Sequence, residues 1–198
     1  MSLLRRRDLL QRSASALLSA TLAQAGLPAH AQAGPGHTGI ELTQLQAERG
    51  DDGLLLSYTV RFELPKDVED ALLKGVAVVF VAEADLFQSR WYWGDKHRAH
   101  AVRRWRLAYQ PLTRRWRLSF DGLSRWYPTL PEALSVMRRA SQWRIADNVR
   151  PADESDHYID FSFRLDTDEL PRPLQIGLGG QSDWTLAVQR RISIGTPR

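Results

Sequence analysis

The sequence predicts a mainly β protein: an antiparallel, immunoglobulin-like β-sandwich with one or two short helices in its connections. Three observations carry this. Apolar and polar residues alternate over residues 54–64 and again over 159–165, the period-2 pattern of strands buried on one face. Residues 101–109 and 114–120 read as two arms of a hairpin about Pro111, Leu112 and Thr113. Seven or eight strands follow one another without the regular intervening helices of a parallel α/β sheet.

Residues 40–46 form the first expected strand, and Asp52-Gly53 marks the turn after it. In the second strand Leu54, Leu56, Tyr58, Val60, Phe62 and Leu64 alternate with Ser57, Thr59, Arg61 and Glu63. Pro65 opens a short helix with Val68, Ala71 and Leu72 on one face, acidic residues in its early turns and Gly75 at its C-terminal end. Residues 76–86 form the next strand. Its first half is apolar at every position, as a central strand covered on both faces requires, and Glu83 and Asp85 mark where one face returns to water. In the hairpin, pairing Tyr109 with Trp116 places Trp105, Leu107, Tyr109, Trp116, Leu118 and Phe120 on one side. The same register gathers Arg104, Arg106, Arg115 and Arg117 on the other, where they should be solvated.

Thr129 and Glu132 have capping-box spacing and start a second helix running to about residue 140, with Leu130, Ala133, Leu134 and Met137 inward. Residues 147–156 are a polar loop, 159–165 a strand and 166–173 a turn-rich loop. Leu174, Ile176 and Leu178 form a short strand closed by Gly179-Gly180. Trp184, Leu186 and Val188 begin a last strand that continues through Ile192 and Ile194.

Ahead of these elements, residues 1–33 have the parts of an export signal. The start is basic, with Arg5, Arg6, Arg7 and Arg12. A weakly apolar middle spans residues 13–27, and small residues stand at Ala29, Ala31 and Ala33. Arg6-Arg7 with Leu9 and Leu10 beyond favours the twin-arginine route for folded proteins over an arginine-rich Sec signal. The expectation is a periplasmic protein, cleaved after Ala31 or Ala33. A flexible entry segment at 34–37 and a single domain over 38–195 would follow.

The chain has no cysteine, which excludes thiol catalysis and thiolate metal sites. Seven Trp, six Phe and five Tyr must supply the core instead. The formal charge of +4 owes +3 to residues 1–33, so the remaining chain is near +1 and gives no case for nucleic acid. It is uneven, however: residues 90–145 hold 13 basic and 3 acidic residues, the rest after residue 33 hold 10 and 19. Such asymmetry marks either a basic face for an acidic partner or a membrane surface, or two regions that pair with each other.

Few residue groups suggest chemistry. Glu83 and Asp85 share a face, and Asp95, His97 and His100 are of metal-ligating types. Residues three apart on a strand point to opposite faces, and Arg98 and Arg103 would repel a cation, so neither a metal nor a cofactor is expected. Ser155-Asp156-His157 is only a sequence neighbourhood, and no Gly-x-Ser-x-Gly elbow occurs. No catalytic residue is expected. Three aromatics in succession, in Arg90-Trp91-Tyr92-Trp93, cannot all face one core if extended. At least one should be exposed, and exposed aromatics beside arginine suit protein recognition.

The stretch Ala71-Leu72-Leu73-Lys74-Gly75-Val76 leading into Val79-Phe80, with Arg90-Trp91-Tyr92-Trp93 and the run from Arg106 to Trp116, resembles the proteobacterial family called domain of unknown function 4390. The resemblance implies an exported β-rich domain with no established activity and supplies no catalytic residues. It also implies a partner, since members are often encoded beside a sensor kinase of the nitrogen-regulation type. Together these readings give a non-enzymatic interaction domain for an envelope or membrane protein, using Arg90, Trp91, Trp93 and the four hairpin arginines. The alternative is a small-ligand-binding or metal-dependent domain using Glu83, Asp85, His97 and His100. The discriminator is whether those four converge in space.

Overall fold

Phe163 touches rings from both layers of the fold. The structure, a computed structural model, describes residues 39–50, 53–92, 94–147, 157–170 and 186–194. Among these the chain forms β1 (Glu41–Gly50), β2 (Gly53–Arg61), α1 (Lys66–Leu73), β3 (Val78–Gln88), β4 (Lys96–Gln110) and β5 (Arg115–Phe120). There follow β6 (Leu123–Tyr127), α2 (Leu130–Met137), β7 (Arg139–Asp147), β8 (His157–Asp166) and β9 (Ala187–Ile194). A smaller sheet has the order β1-β2-β7 and a larger one β6-β5-β4-β3-β8-β9. Every pairing is antiparallel. The fold is thus a mainly β, two-sheet sandwich. The strand order does not establish the immunoglobulin-like variety expected, which divides its strands four and three, against three and six here.

The core lies where the inner faces meet. Phe163 on β8 is 6.1 Å from Tyr58 on β2, 5.7 Å from Phe62, 6.0 Å from Phe80 on β3 and 6.2 Å from Trp105 on β4, centroid to centroid. Rings at such distances add to the stabilisation their buried area already gives. Burial raises the pKa of the Tyr58 hydroxyl, which donates to the Met137 carbonyl at 3.3 Å. The alternation expected of β2 holds: Leu54, Leu56, Tyr58 and Val60 are buried. Val78 to Ala82 of β3 are buried in succession, as a central strand requires.

The hairpin has the expected register, with Tyr109 opposite Trp116, Leu107 opposite Leu118 and Trp105 opposite Phe120. In α1, Pro65 stands at the N-cap, Val68, Ala71 and Leu72 are buried, and Gly75 leaves the helix at φ +88°. In α2 the Thr129 hydroxyl accepts from the Glu132 N–H and donates to the Glu132 carboxylate, so the box closes on the hydroxyl and not on the Thr129 backbone. That helix ends at Met137, short of residue 140, because Ala140 already pairs with Tyr58 in β7.

Two strands escape the sequence reading. The first, β6, follows a two-residue turn at Asp121-Gly122 with φ of +49° and +76°, an Asp-Gly hairpin signal. It is an edge strand whose residues are mostly exposed, so it shows no alternation. The second, β7, has its pairing with β2 interrupted at two irregularities, and Gln142 sits at φ +49°. Bulges break the period-2 pattern by which a strand is recognised. The expected strand at 174–178 and Trp184 lie outside the described residues, as do residues 1–37. No helix among the described residues is long and apolar enough to cross a membrane.

Gly53 joins β1 to β2 at φ +140°, and a Cβ there would lie 2.1 Å from the Ala146 carbonyl oxygen of β7. Gly122 has a positive φ but open space around it. Gly53→Ala should therefore lower stability by on the order of 3 kcal/mol, from strain and backbone clash together. Gly122→Ala should cost about 1 kcal/mol, from conformation alone. Urea denaturation midpoints compare the two; equal losses would show that the close approach of β7 carries no weight.

Candidate functional site: a histidine–carboxylate cluster on the outer face

The alternation of β3 divides its side chains between two surfaces. Phe80, Ala82, Ala84 and Leu86 enter the core, so Glu83, Asp85 and Phe87 face outward on the larger sheet. Asp85 stands opposite His100 on β4 and Asp160 on β8. Phe87 stands opposite His97 on β4 and Tyr158 on β8.

The pairing of β3 with β4 slips between these rows. Leu86 pairs with Ala99 and Phe87 with His97, leaving Arg98 as an extra residue. That bulge shifts the phase by one position. His97 and His100, three apart, consequently face the same side, which corrects the expectation that strand geometry would separate them. The Asp85 Oδ1 atom lies 2.9 Å from His97 Nε2 and 2.8 Å from His100 Nδ1. One ligating atom from each of the three residues falls within 4.8 Å of the others.

Surrounding contacts hold the cluster in place. The Phe87 ring meets His97 edge-on at 5.2 Å and stacks on Tyr158 at 5.2 Å. The Tyr158 hydroxyl donates to Asp95 Oδ2 at 2.7 Å, and Asp95 Oδ1 accepts from the Arg90 backbone N–H. Arg191 lies 4.1 Å over the Tyr158 ring and makes two 2.7 Å hydrogen bonds to Asp160. Burial pushes the Asp85 carboxyl up, but hydrogen bonds from His97 and His100, with their charge, outweigh it and leave the group below the usual carboxylate range. The hydrogen bond to Asp95 raises the pKa of the Tyr158 hydroxyl, and the one to Asp160 raises that of Arg191.

Of the four residues whose convergence was the discriminator, three converge. Glu83 shares their face but is engaged by Arg164 at 3.3 Å. Arg103, expected to repel a cation, is on the inner face, with its guanidinium 4.9 Å over Trp143 and 5.7 Å over Phe120. Tyr158, Asp160 and Arg191 went unrecognised in the sequence. They are outward positions of β8 and β9, so the strand alternation itself was the signal.

Farther along the same face stand the hairpin arginines. Arg104, Arg106, Arg115 and Arg117 are exposed and make no ion pair with another described residue. Arg117 lies 5.9 Å over the ring of Trp126 on β6. In the β3–β4 loop Trp91 is 85% exposed and Tyr92 73%, their ring centroids 3.8 Å apart. Trp93, Ser155 and Asp156 lie outside the described residues, and His157 is buried.

Residues 37–193 match the family described as domain of unknown function (DUF4390), and the chain belongs to that family. No curated protein and no solved structure matches it.

A carboxyl group held low in the folded state contributes stability that is present above its unfolded pKa and lost as pH falls through its folded one. Charged or titratable neighbours of Asp85 are His97 and His100 on β4 and the Asp160–Arg191 pair on β8 and β9. Asp85→Asn removes the Asp85 share. Its melting temperature should therefore fall less steeply than that of the unmodified protein between pH 5 and 2, as followed by circular dichroism. Parallel curves would show that the histidines do not stabilise the ionised Asp85.

Proposed function

We propose that this member of the DUF4390 family is an exported interaction domain of the cell envelope, which binds an acidic surface of a membrane protein through the arginine end of its larger sheet. The carrying observation is the four-arginine row on adjacent strands β4 and β5, exposed and without an ion pair among the described residues. Uncompensated charge on a sheet face favours a partner of opposite sign and speeds encounter with it. Arginine also offers planar forks for carboxylates. The adjacent Trp126, 43% exposed, adds the aromatic area that protein interfaces use, whereas the exposed Trp91–Tyr92 pair stands in the β3–β4 loop at the histidine end of the sheet. The periplasmic part of a sensor kinase is the partner class to which the family resemblance points. Export rests on the composition of residues 1–33.

Two outcomes are expected. Replacing Arg6 and Arg7 by Lys should stop export, read by cell fractionation; unchanged export would remove the twin-arginine route. A photo-crosslinker at Ser119, which pairs with Arg106 on the arginine face, should capture an envelope protein in cells. With that protein purified, the triple change Arg104→Glu, Arg115→Glu and Arg117→Glu should weaken binding about tenfold or more and flatten its salt dependence. Binding to phosphatidylglycerol vesicles at low salt, with no protein adduct, would overturn the protein partner in favour of the membrane surface. Unchanged affinity in the triple variant would overturn the arginine face.

A further inference from the structure

We propose that Asp85, His97 and His100 form a binding site for a divalent transition metal of the zinc type, with one coordination position left open to solvent. The site lies at the end of the outer face away from the arginine row and stands whether or not that row binds a partner.

Two imidazole nitrogens and one carboxylate oxygen form a donor set suited to zinc and its neighbours; magnesium and calcium prefer oxygen alone. Ligand atoms around a tetrahedral zinc stand about 3.3 Å apart, from metal–ligand distances near 2.0 Å. Here the Asp85 oxygen is 2.9 and 2.8 Å from the two nitrogens, and all three atoms fall within 4.8 Å. Rotation of half-exposed side chains can open the two carboxylate contacts to that spacing and close the gap between the imidazole nitrogens, which is no more than 4.8 Å, to admit the ion. Without metal, the nitrogens facing Asp85 carry the protons of its hydrogen bonds. Metal requires the other tautomer in each ring: His97 protonated at Nδ1 and ligating through Nε2, His100 protonated at Nε2 and ligating through Nδ1.

The surroundings support this use. Phe87 packs against the His97 ring, and Tyr158 with Asp95 backs Phe87 in turn, so His97 is positioned ahead of binding. The nearby cation Arg191 is neutralised by Asp160. Both histidines are about half exposed, which gives a metal an entry path and leaves its fourth position to water or another ligand.

Isothermal titration of the metal-stripped protein with zinc chloride tests the site, magnesium chloride being the hard-cation control. One zinc per chain and no magnesium is the expected result. His97→Ala and His100→Ala should each weaken zinc binding about tenfold or more, whereas Glu83→Gln should leave it unchanged. Circular dichroism of the variants separates lost ligation from lost folding, and zinc-dependent shifts of the His97 and His100 ring resonances in the unmodified protein locate the ion without any substitution. No zinc uptake overturns the proposal. So does uptake that persists in both alanine variants, which would place the metal on His30, His37 or His157.

Discussion

Everything else in this structure is arranged around β3. It is hydrogen-bonded on both sides, to β4 and to β8, so its register is fixed twice. Its inward residues Phe80, Ala82, Ala84 and Leu86 join the aromatic core that binds the two sheets, and its outward residues Glu83, Asp85 and Phe87 found the candidate site. A one-residue slip would exchange these sets, placing carboxylates in the core and phenylalanine in water. The cost of burying an unpaired carboxylate forbids it. The constraint that stabilises the sandwich is thus the one that positions Asp85.

On that fixed strand the bulge at Arg98 does what regular pairing cannot. In an unbroken ladder His97 would lie across from Gln88 and point into the sandwich with His157. The extra residue returns His97 to the outer face two pairing positions from His100. Both imidazoles then reach one carboxylate oxygen. Their approach is favourable because Asp85 is the acceptor for each, and because Asp160, directly opposite Asp85, is neutralised by Arg191. An unneutralised Asp160 would oppose the ionised Asp85 across β3 and β8.

Elements that obey a simple period were legible in the sequence. Residues 54–62 alternate because one face is buried; the hairpin register followed from matching two aromatic faces; the faces of both helices followed from spacing. The site was only half legible. Its residue types stood out, but their convergence depends on a bulge, and a bulge is a departure from the very period used to read strands. The same cause hid β7, while β6 was hidden because an edge strand with little burial has no apolar face to reveal it. The clamp of Tyr158, Asp95 and Arg191 joins residues far apart in sequence, which local patterns do not connect.

The charge asymmetry of the chain acquires a spatial meaning from the same topology. The acidic and basic regions of the sequence were free to neutralise one another, and in part they sit side by side, since β4 and β8 both flank β3. Yet of the described ion pairs on the outer face, Glu83 with Arg164 and Asp160 with Arg191 lie within the acidic part of the chain, and only Asp85 reaches across, to His97 and His100. Glu83 and Asp160 are satisfied by arginines of β8 and β9 and Asp85 by the two histidines, and no described carboxylate pairs with Arg104, Arg106, Arg115 or Arg117. From His100 to Arg106 along β4 is about 20 Å at the rise of an extended strand. That span separates a neutralised end carrying imidazoles and a carboxylate from an uncompensated cationic end. Such a gradient on one sheet face would orient the proposed acidic partner before contact, with the histidine cluster about 20 Å from the arginine row.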